Sequence, residues 1–296
     1  METAEVLKRV RKIEILARKR IDATFSGEYE SLFKGRGMSF DEVRPYSPGD
    51  DIRFIDWNVT ARMGSLYIKK FVEERELTVL LLVDRSSSAF FGTKRRIKSE
   101  LVTEISALLG LTALRNNDRV GLIIFTSEVE RFIPPKKGKS HVLRLIRELV
   151  VFEPKKTQTG LSEALAFLNR AIKRRSVVFL ISDFMADIST YEKPLAIANK
   201  KHELVALQIN DPAEKRLPEI GWAFLEDAET GEKIVINTAE KRFNSLFAGK
   251  SERSENSMLR FFQRLGVDRL VIQTSDNYMP KLLGFFRKRR KKASKI

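Results

Sequence analysis

The segment 77–83, LTVLLLV, is a nearly unbroken apolar run that ends on Asp84-Arg85-Ser86-Ser87-Ser88. At seven residues it has the length of a strand, and with no polar alternate it must be covered on both faces, as strands of parallel sheets are. Segments 119–125 (RVGLIIF), 176–182 (SVVFLIS), 202–209 (HELVALQI) and 268–274 (DRLVIQT) have the same character. Helical patterns separate them. Ile97, Leu101, Ile105, Leu108 and Thr112 form one stripe of a helix over 94–115. Further helices are predicted near 139–150, 161–174 and 190–200, with a long, partly broken one over 238–265. Residues 129–133 alternate as an edge hairpin does, and a second hairpin joins 222–225 to 233–237. Strands alternating with helices of this length specify an α/β fold: an open, mainly parallel sheet with helices on both faces.

The flanks read differently. Val6, Val10, Ile13, Ala17 and Ile21 fall at helical spacing among basic residues, so 4–21 is predicted as an amphipathic helix that needs a surface to pack on. From Gly27 to Ser65 the chain is rich in Gly, Pro, Asp and Ser and reads as turns and short extended pieces, with a strand at 66–71. The organisation expected is an N-terminal extension over 1–76, an α/β domain over 77–275 and a basic tail over 276–296. Seven of the last ten residues are Lys or Arg, the pattern of a solvated tail. Phe285 and Phe286 beside it read as the apolar edge of a terminal helix, or as an anchor next to a polybasic patch at an anionic membrane surface.

Composition removes several chemistries. The chain has no cysteine, which excludes disulfides, thiolate-bound zinc, iron–sulfur clusters and thiol catalysis. The first twenty residues carry charge throughout, and no window approaches a membrane-spanning apolar stretch, so a cytoplasmic protein is expected, peripheral at the inner face of the membrane if the tail binds lipid. A net charge of +16 favours polyanions, whether nucleic acid, anionic lipid or an acidic protein surface. Basic residues are not interleaved with aromatics as a base-stacking platform requires, which argues against nucleic acid. The chain holds two histidines, His141 and His202, and neither falls beside the acidic strand ends. A phosphoryl hydrolase built on Asp84 is the enzymatic alternative, but Ser86 stands where many Asp-nucleophile phosphatases carry another Asp, and no Gly-rich phosphate loop with Lys is present. The expectation is a protein that is not an enzyme.

Open α/β sheets bind ligands beyond the carboxyl ends of their strands. The loops there offer Asp84, Ser86 and Ser88 after the first run, Thr157 and Thr159 before the helix at 161, and Asp183 after VVFLIS. All are hard oxygen donors, the set that suits Mg²⁺, or Mn²⁺ or Ca²⁺, with retained waters. The same residue types also serve as helix N-caps and turn residues, so each alone has an ordinary structural reading.

The set Asp84, Ser86 and Ser88, then Thr159, then Asp183 resembles the metal-ion-dependent adhesion site of von Willebrand factor A domains. That resemblance implies a von Willebrand A-like fold and a non-catalytic, divalent-metal-dependent interaction module. Ser86 and Ser88 would then ligate the ion directly, Thr159 directly or through water, and Asp84 and Asp183 partly through water, while a partner's acidic residue fills the open position. Segment 35–71 followed by this loop is similar to the bacterial family called domain of unknown function number 58, through Arg44, Tyr46, Pro48, Gly49, Asp50, Asp51, Arg53, Ile55, Asp56 and Trp57, with likeness over about residues 25 to 210. Genes of that family often lie beside MoxR-type AAA+ ATPases, which implies such an ATPase as partner in a chaperone-like role. In this chain Ser87 stands where such loops often have Gly, and Ala89-Phe90 where Met is frequent. The 44–57 segment itself has two readings. One is a self-bracing loop in which Arg44 and Arg53 pair with Asp50, Asp51 and Asp56 around an anchoring Trp57; the other is a partner-docking surface beside the metal face.

Overall fold

The apolar run of 77–83 becomes β3 (Thr78–Asp84), the strand around which a six-stranded sheet is ordered β10-β7-β6-β3-β4-β5. The computed structural model describes residues 3–21, 25–29, 38–73, 76–93, 96–227 and 231–293. The other strands of the sheet are β4 (Arg119–Phe125), β5 (Val129–Lys136), β6 (Val177–Ser182), β7 (Glu203–Asn210) and β10 (Asp268–Gln273). All pairings are parallel except that of the edge strand β5 with β4. Chain direction explains the order: β4 lies on one side of β3 and β6 on the other, so the winding reverses at β3. This is the topological switch point, where loops diverge and leave a crevice at the carboxyl rim.

Pleating sends alternate residues of β3 to opposite faces. Val79, Leu81 and Val83 enter one core, against α3 (Lys98–Arg115) and α4 (Lys139–Val151); Leu80 and Leu82 enter a second, against α5 (Leu161–Ala171), α6 (Ile188–Lys201) and α7 (Lys241–Leu265). The predicted α/β sandwich is therefore the one observed. The long helix α7 is continuous rather than broken, although Gly249 lies within it. Strands β8 (Trp222–Glu226) and β9 (Lys233–Asn237) form the expected hairpin apart from the main sheet.

One flanking element meets its expectation and two depart from the local pattern. Helix α1 (Thr3–Arg20) does find its surface: Val6, Val10 and Ala17 are buried in the first core, against α3 and α4. Within the stretch read as turns, Met38–Pro45 forms a strand, β1, paired antiparallel with β2 (Tyr67–Glu73), because a partner strand satisfies its backbone whatever its turn-rich neighbours. The basic end of the chain, expected as a solvated tail with Phe285 and Phe286 on the apolar edge of a terminal helix or at a membrane surface, is the helix α8 (Tyr278–Ala293), which bears out the helical reading. Tyr278, Leu282 and Phe286 recur every fourth residue and are buried in the first core, with the Phe286 ring 5.5 Å from that of Phe25. Arg289 bonds Glu203 and Asp268 at the amino ends of β7 and β10, so part of the basic run is tied down by acids. Phe286 is thereby unavailable as a membrane anchor. Among the described residues no helix is long and apolar enough to cross a membrane.

Burial of a whole ring in this core sets an expectation. Phe286→Ala should lower unfolding free energy by about 3–5 kcal/mol in urea titration, whereas an unpacked tail residue would change it by less than about 0.5 kcal/mol.

Candidate metal centre

Adjacent parallel strands end about 4.8 Å apart, so residues leaving β3 and β6 at the same level must meet. Val83 pairs with Ile181 in register; the next positions deliver Asp84 from one strand and Ser182-Asp183 from the other. Both carboxylates are buried, Asp84 at 4% and Asp183 at 5% exposure. Asp84 Oδ1 accepts from the Ser86 backbone N–H (3.0 Å) and hydroxyl (2.7 Å), and its Oδ2 accepts from the Ser182 hydroxyl (2.6 Å). Ser88 Oγ stands 3.1 Å from Ser86 Oγ. Asp183 Oδ1 accepts from Met185 N–H (3.2 Å), and its Oδ2 from the ammonium of Lys98 (2.7 Å). That ammonium also donates to Glu214 Oε1 at 2.5 Å.

Loop geometry follows from these bonds. Residues 87–90 make a turn of 3₁₀ helix, with Ala89 N–H bonded to Ser86 O, and the side chain of Arg85 is thrown the other way into the core. There the guanidinium donates to Ser99 O (3.2 Å) and Leu149 O (3.3 Å), and burial pushes its pKa down to about 10. Ser87 N–H donates to Thr157 O (2.9 Å), which holds the Thr157–Thr159 loop against this turn. Gly160 is needed beside it: an added Cβ would lie 2.3 Å from Ser127 O.

A cavity of about 10 Å³ lies between Asp84, Ser88, Lys98, Ser182 and Asp183. That is about the room one water or one small ion occupies. Of the five residues picked from the sequence, Asp84, Ser88 and Asp183 line it, Ser86 bonds to both Asp84 and Ser88, and Thr159 belongs to the neighbouring loop rather than to the lining. Among the described residues no three His, Cys, Asp or Glu side chains gather as a metal cluster, so hydroxyls and water would have to complete any coordination shell. The donors fit that role. Ser86 gives its hydroxyl proton to Asp84, which leaves its oxygen lone pairs to bind a cation.

Electrostatics at the rim are lopsided. Burial, and then the charge of Asp183, push the Asp84 pKa up to about 6. Burial opposes the charge of Lys98, but the Asp183 and Glu214 carboxylates outweigh it and hold the ammonium above its ordinary value. Glu214 is moved upward by its own burial, which Lys98 offsets only in part, since the one ammonium is shared between two acids. Lys98, Glu214 and Ser182 were not picked from the sequence. One signal for Lys98 was present: a cation in the first turn of a helix, where the dipole disfavours it, on the face shared with Leu101 and Val102. The histidines stand elsewhere: His141 bonds Val120 O, and His202 precedes β7 at its amino end, where burial pushes its pKa down to about 4.

A family model described as "Protein of unknown function DUF58" matches residues 42–257, more than half of the chain. The chain belongs to the DUF58 family. An uncharacterized protein of Mycobacterium tuberculosis is 28% identical over 286 residues, covering 96% of this chain and 90% of that one. The uncharacterized protein YeaD of Bacillus subtilis is 32% identical over 109 residues, 37% of this chain and 25% of that one. Among solved structures, BatB from Bacteroides thetaiotaomicron is similar at a TM-score of 0.48 and 17% identity, over 73% of this chain and 99% of that one. A von Willebrand factor type A structure from Catenulispora acidiphila is similar at a TM-score of 0.41 and 12% identity, over 77% of this chain and 44% of that one. The DUF58 segment 44–57 braces itself, though not as drawn from sequence. Arg44 pairs with Asp50 (2.6 Å) and Arg53 with Asp51 (2.6 Å), but Asp56 instead caps the helix α2 (Trp57–Met63) and lies 3.6 Å from Lys69. Tyr46 is half-buried and its N–H bonds Leu66 O. Trp57, drawn as an anchor, is 67% exposed among the described residues. The β1–β2 ribbon that carries this segment joins β3 at its amino end, whereas Asp84 stands at the carboxyl end.

The raised pKa of Asp84 gives a pH test with a definite sign. Without metal, the stability linked to its protonation is complete below pH about 4 and is lost as pH rises through about 6. Asp84→Asn keeps the neutral form, so in chelator at pH 8 it should exceed the wild type by about 1–3 kcal/mol in chemical denaturation, and the gap should close near pH 4.

Proposed function

We propose that this DUF58 protein is a non-catalytic protein-interaction module that grips an acidic side chain of a partner through a divalent cation at the carboxyl ends of β3 and β6. One observation carries the reading: Asp84, Ser88 and Asp183 line an ion-sized cavity, and the Ser86 hydroxyl, bonded to the Asp84 carboxylate, stands 3.1 Å from the Ser88 hydroxyl that borders it. Ser86 and Ser88 would hold the ion by their oxygens, with Asp84, Thr159 and Asp183 behind retained waters. Mg²⁺ suits this shell best, since it keeps several waters and needs few carboxylates; Mn²⁺ or Ca²⁺ are the alternatives. The ion supplies a positive charge with a position open to a carboxylate.

The chain's own residues do the rest. Asp84 orients Ser86, Ser182 fixes Asp84, and the Ser87–Thr157 bond brings the second loop alongside. The overall charge of +16 draws acidic surfaces toward the protein and raises their rate of encounter. A MoxR-type AAA+ ATPase is the partner proposed, on the strength of the family's resemblance, and the protein would act beside it in the cytoplasm as an adaptor or co-chaperone.

Capture of the purified ATPase on immobilised protein tests this. Retention should be strong in Mg²⁺, fall at least tenfold in EDTA, and fall similarly for Ser86→Ala with unchanged circular dichroism. Equal capture with and without EDTA would reject the reading.

A further inference from the structure

Lys98 is the least expected residue at the rim. It is 1% exposed, it opens helix α3 where the dipole repels a cation, and burial further disfavours its charge. Such a lysine persists only where acids compensate it, and here there are two, Asp183 and Glu214. Glu214 is itself held: its other oxygen accepts from Asp211 N–H (2.8 Å), in a capping box of the turn after β7. Asp211 in turn accepts from the Thr93 hydroxyl and backbone N–H, and from the Thr274 hydroxyl after β10. Lys98 is thus fixed through Glu214, which does not line the cavity, by a part-buried network across the ends of β7 and β10. It also lines the cavity that Asp84, Ser88 and Asp183 line. A cation entering that space meets an ammonium already bonded to one of the two carboxylates.

Resting on the metal reading of this site, we infer that Lys98 is the resident cation of the rim: it keeps Asp183 in place before any metal arrives and competes with the metal for that carboxylate. Two acids, Asp183 and Glu214, share one fixed positive charge, so the loops assemble without a divalent ion. Divalent binding is consequently weak on its own, because the incoming ion gains only part of Asp183 and is repelled by the ammonium. A partner's carboxylate would add the negative charge the ion lacks. The site therefore discriminates for metal and partner together over metal alone. Lys98 is in this sense a positioning residue that sets affinity, not a ligand.

The inference predicts opposite effects from two substitutions, read with Mn²⁺ as probe on the full-length protein without partner. Lys98→Met should melt at a lower temperature than the wild type in EDTA, recover with Mn²⁺, and bind Mn²⁺ at least tenfold tighter by electron paramagnetic resonance titration. The wild type and Lys98→Arg should bind weakly and melt at nearly the same temperature with or without Mn²⁺. Glu214→Gln, which leaves the ammonium wholly to Asp183, should weaken Mn²⁺ binding several-fold, and it decides the matter should Lys98→Met not fold. Binding by Lys98→Met no tighter than the wild type, or by Glu214→Gln no weaker, overturns the inference while leaving EDTA-sensitive partner capture intact. Absence of Mn²⁺ binding in every variant overturns both.

Discussion

Two carboxylates forced together at the ends of neighbouring strands are the constraint that organises this rim. Parallel pairing of β3 with β6 puts Asp84 and Asp183 side by side in a place water hardly reaches. Like charges so close must each be compensated, and the sequence supplies a separate remedy for each. Asp84 takes three hydrogen bonds from Ser86 and Ser182, while Asp183 takes an ammonium. The serine hydroxyls are ordered as a consequence, because each is needed to satisfy a buried acid. The cation site we propose would use the same bonds that make the acids tolerable.

The scaffold contributes precision rather than chemistry. Reversal of winding at β3 opens the crevice, and the glycine at 160 lets the threonine loop close on the turn between β4 and β5. Arg85, the residue between the first acid and the first serine, points inward and ties the loop to α3 and α4 through backbone carbonyls. Movement of the loop would therefore disturb the first core, which couples the rim to the packing of the helices beneath it. The terminal helices α1 and α8 cover that core, so the most basic parts of the chain are held on its outer surface. Their charge then contributes to the positive field around the protein.

Much of this was legible in the chain itself. Continuous apolar runs gave away the buried strands, and helical stripes between them gave the layer order, because both periodicities are local properties of backbone geometry. The oxygen-bearing residues after those runs could be placed on one rim from the parallel topology alone. Other features were not readable for reasons that can be named. A strand at Met38–Pro45 depended on a partner some thirty residues away rather than on its own composition. The run of Lys and Arg at the chain end masked the spacing of Tyr278, Leu282 and Phe286, which becomes meaningful only once Phe25 and the first core are there to receive it. Trp57 looked like an anchor by size, yet among the described residues it stands mostly exposed, because size alone does not say which surface will receive a side chain.

What the sequence determined by itself is the sheet, its two faces and the kinds of atoms gathered at its rim, since strand and helix patterns are written within short windows. What only the tertiary structure decided is the charge state of that rim. Whether Lys98 is a solvated surface cation or the buried counterion of Asp183 depends on Glu214, more than a hundred residues later, arriving on its far side. Electrostatic compensation acts through space, and proximity through space is the one thing a linear pattern does not contain.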